Sequence, residues 1–550
     1  MNVESKMQID KIFTNGNFII PHSGSFSNFY GCLAVQNGKI EAIGSEEELS
    51  LAYSTDNYID FKNAYCYPGF RDPHCHLLYL GQQSFLANLV GLKSPEALVN
   101  KLIDFAESND SESNSEWVIG RGWNQMLWED GNSTQYYNEV RDRIDAAFPN
   151  RPVYLTRIDG HAALVNSQAL KRAGISGPKN IDGGAIDCAN GIPTGLLIDA
   201  AMQFCTNIIP AQTDIDLAKA FLKAQELCIK QGLTAVTDCG LPKSSWDILI
   251  ELQREKKMFI PVNGMLTPEP ETEAWFRKNG PFRTNLLKLS CFKYFADGAL
   301  GSRGARMLSD YSDDPANMGI WMHDPAYLYA QAQKNKSDGF QMSVHAIGDA
   351  AARLVLDINA KVKPAAVALW RMEHAQILSA SDITRFASTG TVPSIQTCHA
   401  ISDRNMAFSR LGKRLGLNRK KGEAGAYLAK SLLDEFGWLV NGSDFPIETE
   451  RPLRNFYTAV ARKELSDDQS VTPFIEEEKL SRTEALKAMT IWDAKLAFEA
   501  DKRGSIQLGK QADFTILDKD ILNCSESQIP YTKVLKTIIA GEIVYKQSES

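Results

Sequence analysis

Several protein classes leave marks that this chain lacks. None of its 550 residues lies in an apolar run near the roughly 18 residues of a membrane span, so no membrane partner is expected. The opening stretch MNVESKMQIDKIFTNG has no apolar signal core, and a cytoplasmic chain is expected. No run of lysine and arginine could follow a phosphate backbone, and the net charge of −8 comes from scattered charges of both signs, which argues against a nucleic-acid partner. The ten cysteines contain no Cys-x-x-Cys pair and no regular spacing, so reduced, buried thiols are expected rather than a disulfide framework. There is no tandem repeat, no low-complexity linker and no Gly-x-Gly-x-x-Gly loop for a dinucleotide. Histidine is scarce: the chain has eight, so their positions are informative.

What is present suits a soluble globular protein, with 44% hydrophobic and 23% charged residues. The length exceeds one ordinary domain but fits a large barrel with appendages. Both ends read as short strands and turns. KIFTNGNFII and CLAVQNGKIEAIG each carry an Asn-Gly turn between apolar runs, and GSIQLGKQADFTILDKD and VLKTIIAGEIVYK repeat the pattern at the tail. Residues 1–65 and 500–550 are therefore expected to pair into a small composite β-sandwich domain.

Between the ends, short strand-like runs alternate with helix-like segments such as DIDLAKAFLKAQELCIKQ. The runs are CYPGFRD (66–72), GLTAVTDCG (232–240), MFIPVNGML (258–266), LSCFKYFADG (289–298), FQMSVHAIGD (340–349), AVALWRMEHA (366–375), TVPSIQTCH (391–399) and WLVNGSDFP (438–446). Eight such strands predict an α/β fold, a TIM-like (β/α)8 barrel over residues 66–499, with its site at the strands' C-terminal ends. A doubly wound sheet is the alternative, but it lacks its phosphate loop. The gap after the first strand is too long for one βα unit, and residues 95–210 are expected to form an inserted subdomain or lid.

The polar residues at these strand ends carry the chemistry. His74 and His76 stand at i and i+2, so on a strand they share a face while Cys75 turns away as a packing residue. Two imidazoles on one face suit zinc or a similar divalent ion, and His345, His374 and Asp444 end other strands. Lys293 cannot bind a metal as an ammonium, but a neutral amine reacts with carbon dioxide to give a carbamate that could bridge two ions. Pairing with Asp297 is the other reading of Lys293, and Lys288 is a second candidate further from the strand end.

The segments YPGFRDPHCHL, KYFADGALGSRGA, SVHAIGDAA, RMEHAQIL, QTCHAISD and NGSDFPIE resemble the amidohydrolase superfamily. With RIDGHAALVNSQAL, GIPTGLLIDA and LSRTEALKAMTIWDAKLAF in the same order, they resemble amidohydrolase family 3, which includes N-substituted formamide deformylases. The likeness runs from about residue 8 to 545. It implies a metal-dependent hydrolase of non-peptide C–N bonds on a TIM-like barrel. It implies that His74, His76 and Asp444 hold one ion, that His345 and His374 hold a second, and that a carboxylated Lys293 bridges them. Cys75, Arg71 and Gly304 depart from the family's usual residues without removing a ligand.

In such a site a metal-activated water attacks a small-molecule substrate, and Asp444 takes its proton and returns it to the leaving amine. His161 in DGHAAL, where Asp159-Gly160-His161 matches the family motif, and His399 in CHAISD are candidate donors to the oxyanion. Trp123, Trp128, Tyr294, Trp321 and Phe445 are candidates to line an apolar substrate pocket, with packing as the alternative, and Arg303 would suit a charged substrate. His22 and His323 read as surface residues. Rival activities on the same site are an amidine deaminase, a lactonase or other esterase, and a metal-dependent decarboxylase; a non-catalytic binding protein is a further alternative. A homodimer is the base-rate expectation.

Overall fold

Eight parallel strands form the central sheet of the computed structural model, which describes residues 6–109, 116–128, 134–158, 160–412, 425–465 and 471–548. They are β1 (Phe70–Cys75), β2 (Leu233–Leu241), β3 (Val262–Leu266), β4 (Leu287–Phe295), β5 (Gln341–Ala346), β6 (Arg371–His374), β7 (Val392–Ile395) and β8 (Val440–Asn441). Each is buried almost throughout, which is why each reads as an apolar run rather than an alternating one. Neighbours in sequence are neighbours in the sheet, from β1 to β8. The ring is joined where Cys75 bridges Phe445 in parallel, with Asp444 N–H donating to His74 O at 2.7 Å and His76 N–H to Phe445 O at 2.8 Å. Register puts Phe295 beside His345 and Ala346 beside His374, so the C-terminal ends of β4, β5 and β6 lie level.

Strands from both ends of the chain share one eight-stranded sheet. Phe514–Leu517 pairs antiparallel with Tyr65–Pro68, which pairs in turn with Lys11–His22. Phe13, Phe18, Leu33, Phe61, Phe514 and Ile538 fill its core. Of the two expected Asn-Gly turns, Asn37-Gly38 is one, with φ of 50° and 72° between Ser25–Gln36 and Lys39–Gly44. Asn15-Gly16 is not. The apolar runs on both sides of it pair with the same partner strand, so the dipeptide is absorbed as a bulge inside Lys11–His22, and the chain turns at Ser23-Gly24 instead.

The chain divides into two compact units: Met1–Leu77 with Ala224–Ser550, and Leu78–Lys223. The terminal sheet thus clusters with the barrel, and the insertion is wider than 95–210 at both ends. The second unit has its own six-stranded mixed sheet, running from Gly184–Ala189 at one edge to Ala87–Asn88 at the other. The helices Pro95–Asn109 and Thr134–Ala147 help close its core around Leu102, Trp123, Ile144 and Leu155.

Candidate metal centre

The chain places His74, His76, Lys293, His345, His374, His399 and Asp444 on one cavity of about 310 Å³ at the C-terminal ends of the barrel strands. β1 delivers the first pair. Asp72 accepts from His74 N–H at 3.0 Å, from Ser443 N–H at 3.2 Å and from Ser443 Oγ at 2.6 Å, tying β1 to the segment after β8. Gly442 permits that approach, since a Cβ there would sit 2.7 Å from His74 Cβ. His74 Nε2 and His76 Nε2 then lie 3.4 and 3.3 Å from Asp444 Oδ1, and His399 Nε2 lies 3.7 Å from Asp444 Oδ2. The His374 ring is 4.9 Å from that of His74 and 4.5 Å from that of His345. Asp444 (φ 63°) and His374 (φ 70°) hold left-handed backbone, a strain that persists only where the surroundings impose it.

The donor set fits a cation. His74 Nε2, His399 Nε2 and Asp444 Oδ1 are buried without a hydrogen-bond partner, an arrangement native interiors rarely leave unanswered. One ligand atom each from His74, His374 and Asp444 lies within 4.8 Å of the others. Imidazole nitrogen with carboxylate oxygen is the ligand chemistry of zinc and similar ions. Burial, and then the charge of Lys293, push His345 down to about 3; burial and the neighbouring rings of His345 and His74 hold His374 well below its ordinary value. Both therefore stay neutral and keep the lone pair that a ligand needs. Burial opposes a charge on His74, but its interactions with Cys239, Asp444 and Glu373 more than offset this and raise its pKa. The field that would hold a proton there favours a metal cation equally. Asp444 is the reverse case: burial would raise it, and His74 and His76 hold it well below the carboxylate range.

Behind the candidate ligands stand residues that the strand-end reading does not single out. Glu373 is fully buried inside the barrel, where it accepts from His74 Nδ1 at 2.5 Å, from Ser343 Oγ and Ser394 Oγ at 2.7 Å each, and from the Arg371 guanidinium. It fixes the His74 tautomer with Nε2 free for a ligand. Gln396 Oε1 does the same for His374 at Nδ1, 2.8 Å away. Asp297 accepts the backbone N–H groups of Arg306, Ile347 and Gly348 and lies 3.5 Å from His345 Nε2; burial lifts it to about 7. A signal for Glu373 existed in the sequence: Arg371 and Glu373, two apart on one strand, are charges on the same face of an otherwise apolar run.

Lys293 is buried with Nζ 5.1 Å from the Phe295 ring centroid and has no ion-pair partner among the described residues, so the pairing with Asp297 is not formed. Lys288 sits at the opposite end of β4, bonded to Ala497 O. Cys75 Sγ faces the Thr237 carbonyl at 3.2 Å, while Cys239 is the thiol grouped with His74 and Glu373. Three residues expected to bind substrate stand elsewhere. Trp123 is fully buried in the core of the second unit, stacked on Trp128, its indole N–H bonded to Leu155 O. Tyr294 is buried outside the strand ring, its hydroxyl 3.4 Å from Asn335. Arg303 pairs with Asp313 and does not line the cavity. Side chains alternate across a strand, so Tyr294, next to Lys293, had to face away from it. His161 belongs to the second unit, where it is largely exposed and pairs with Asp199 at 2.8 Å; Asp159 lies outside the described residues. Phe445 is buried beneath the site, and Trp321 lies under the Arg306 guanidinium. His323 is not a free surface residue, since its Nδ1 bonds Phe295 O at 2.8 Å. Beyond the metal cluster the cavity is walled by apolar Phe295, Leu300, Ile347 and Met406 and by the acids Asp403 and Glu448.

Comparison with known proteins agrees with this geometry. Residues 57–545 match the amidohydrolase family. YtcJ of Bacillus subtilis (strain 168), which carries the name amidohydrolase, is 33% identical over 94% of this chain and 96% of its own length. The N-substituted formamide deformylase of Arthrobacter pascens is 25% identical over 94% of this chain and 95% of its own. An uncharacterized metal-dependent hydrolase of Pyrococcus horikoshii OT3, known from its crystal structure, superposes with a TM-score of 0.75 at 26% identity, covering 94% of this chain and 99% of its own. By the strand order, the polar cluster at the strand ends and a match spanning nearly the whole chain, the protein belongs to the amidohydrolase family.

Proposed function

We propose that the protein hydrolyses a non-peptide C–N bond, that of an amide or an N-substituted formamide, with a divalent metal held at the barrel mouth. The observation that carries the reading is the convergence of His74 Nε2 and His76 Nε2 on Asp444 Oδ1, with buried ligand atoms left unpartnered. The bond type draws on the relative named as a formamide deformylase. His74, His76, His374, His345 and Asp444 would hold one or two ions, zinc by ligand type. Lys293 lines the same cavity, and as a carbamate it would add an anionic oxygen ligand to that set. A divalent ion there supplies Lewis acidity toward a carbonyl and acidifies a water.

The protein's own groups do the rest. Asp444 stays ionised at neutral pH, so it can take the proton of the attacking water and deliver it to the departing nitrogen. His399, stacked on His374 with Nε2 3.7 Å from Asp444, would donate to the developing oxyanion. The apolar wall with Asp403 and Glu448 suits a neutral or cationic substituent and disfavours an anionic one.

The test is turnover on a panel of formamides, amides, lactams, lactones and aminopurines, using protein of assayed metal content. Release of acid and amine, lost on chelation and restored by zinc, is the expected result. Ammonia from aminopurines alone, lactone opening alone, or carbon dioxide release would overturn the bond assignment. Lys293→Ala should lose at least one metal equivalent; unchanged content would remove the bridging role.

A further inference from the structure

Behind the metal centre lies a second, smaller polar space, and its chemistry is one-sided. Arg462 follows the helix Pro452–Ala461 in left-handed backbone (φ 54°) and is fully buried. Its N–H donates to Thr458 O at 3.1 Å, its carbonyl accepts from Phe474 N–H at 2.7 Å, and its Nε donates to Phe474 O at 2.9 Å. The guanidinium is thereby pinned, yet neither Nη1 nor Nη2 has a hydrogen-bond partner. No carboxylate pairs with it among the described residues. The acid with the largest influence on it, Glu478, is turned to the backbone and hydroxyl of Ser431. Burial lowers Arg462 to about 10, which leaves it charged at neutral pH. A buried, unpaired cation costs several kcal/mol by the usual order of magnitude, so a counter-charge is the physical expectation.

The unpaired nitrogens face a cavity that Arg462 shares with Gln396, Thr397, Tyr427 and His374. Gln396 Nε2 also lacks a partner, because Gln396 Oε1 is committed to His374 Nδ1. Three unsatisfied donor nitrogens therefore surround one space, and neither group offers a spare acceptor. The space open to the centre of a water-sized sphere is about 10 Å³, room for one small occupant and not for a phosphate or a substrate carboxylate. A water can accept from two of these nitrogens, but it brings no counter-charge to Arg462.

We propose that Arg462 and Gln396 bind a halide-sized monovalent anion, chloride in solution, in the cavity behind His374. The anion neutralises Arg462 and holds the Gln396 amide with its oxygen toward His374, so it acts as a built-in support of one metal-site histidine. This rests on the buried donors and the cavity, and it stands whether or not the bond assigned to the reaction is correct.

The test uses the full-length protein. Crystals grown or soaked in bromide should show an anomalous peak within hydrogen-bond distance of the Arg462 guanidinium and Gln396 Nε2. In solution, replacing gluconate by chloride at constant ionic strength should raise Tm in a saturable way, by about 1–2 °C. That rise should vanish in Arg462→Met and persist, weakened, in Arg462→Lys. Density without anomalous signal at that position would identify a water and overturn the proposal, as would a Tm indifferent to chloride. The bromide experiment needs only the wild-type chain, so it decides the matter even if Arg462→Met does not fold.

Discussion

The two ends of the barrel bury charge in opposite ways. At the N-terminal end, Arg71 opens β1 with Nε 2.7 Å from Asp493 and Nη2 2.8 Å from Glu499, and Lys288 opens β4 with Nζ 2.6 Å from Ala497 O and 4.0 Å from the Phe498 ring centroid. Each cation there is answered by a protein group. At the C-terminal end, His74 Nε2, His399 Nε2 and Asp444 Oδ1 have no hydrogen-bond partner among the described residues, only one another and His76 at 3.3 Å or more. The difference lies in what satisfies the groups: protein at the floor and, in the proposed function, a metal ion at the mouth. In the proposed function, charge at the mouth serves chemistry, while charge at the floor serves stability.

Substitutions at the two ends should therefore separate stability from turnover. Asp444→Asn keeps the shape of the mouth and removes its base; kcat should fall by about 10²–10⁴-fold, with most of the metal retained by assay and Tm little changed. Near-wild-type turnover would remove Asp444 from proton transfer. Arg71→Met should do the reverse. Asp493 would be left buried without its cation and Glu499 with Arg503 as its cation, at a cost of about 3–5 kcal/mol in denaturant melts, while activity per folded molecule is preserved. A loss of kcat without a loss of stability would erase the contrast between floor and mouth.

Glu373→Gln probes the border between the two regimes, because Glu373 is a satisfied group that positions an unsatisfied one. Metal affinity should weaken by about 10–100-fold in a chelator competition, with the fold intact by circular dichroism. The smallest effect is expected at Lys288, which burial lowers to about 7 despite the Ala497 carbonyl and the Phe498 ring. Below that pH the folded and unfolded chains both carry the proton, and the cost of burying it is fully present. Between about 7 and 10.5 the folded chain gives up the proton first, so this group makes stability rise with pH through that window. Lys288→Met should flatten that rise in urea melts taken at pH 7 and pH 9; an unchanged slope would mean that Lys288 keeps its charge.

Much of this was legible in the chain. The eight barrel strands could be placed because a parallel strand covered on both faces reads as a short apolar run between helical stretches. His74 and His76 stood out as a pair because the strand period of two puts them on one face, and both line the cavity beside Asp444. Asn37-Gly38 was read correctly as a turn, and Asn15-Gly16 was not, since local turn chemistry does not reveal that both flanking runs pair with one strand. Trp123 and Tyr294 misled for a related reason. An aromatic side chain suits a pocket wall and a core equally well, and only packing distinguishes them.

By itself, then, the sequence determined the order of the barrel strands and the residue types at their ends, because periodicity and strand alternation are local properties of a chain. The tertiary structure alone decided which of those residues meet and what supports them. Glu373 reaches His74 across 299 positions, Ser443 grips Asp72 across 371, and Arg462 and Gln396 line one cavity. Those partnerships depend on ring closure and on the depth at which each polar atom is buried, and neither is a property of any short stretch of residues.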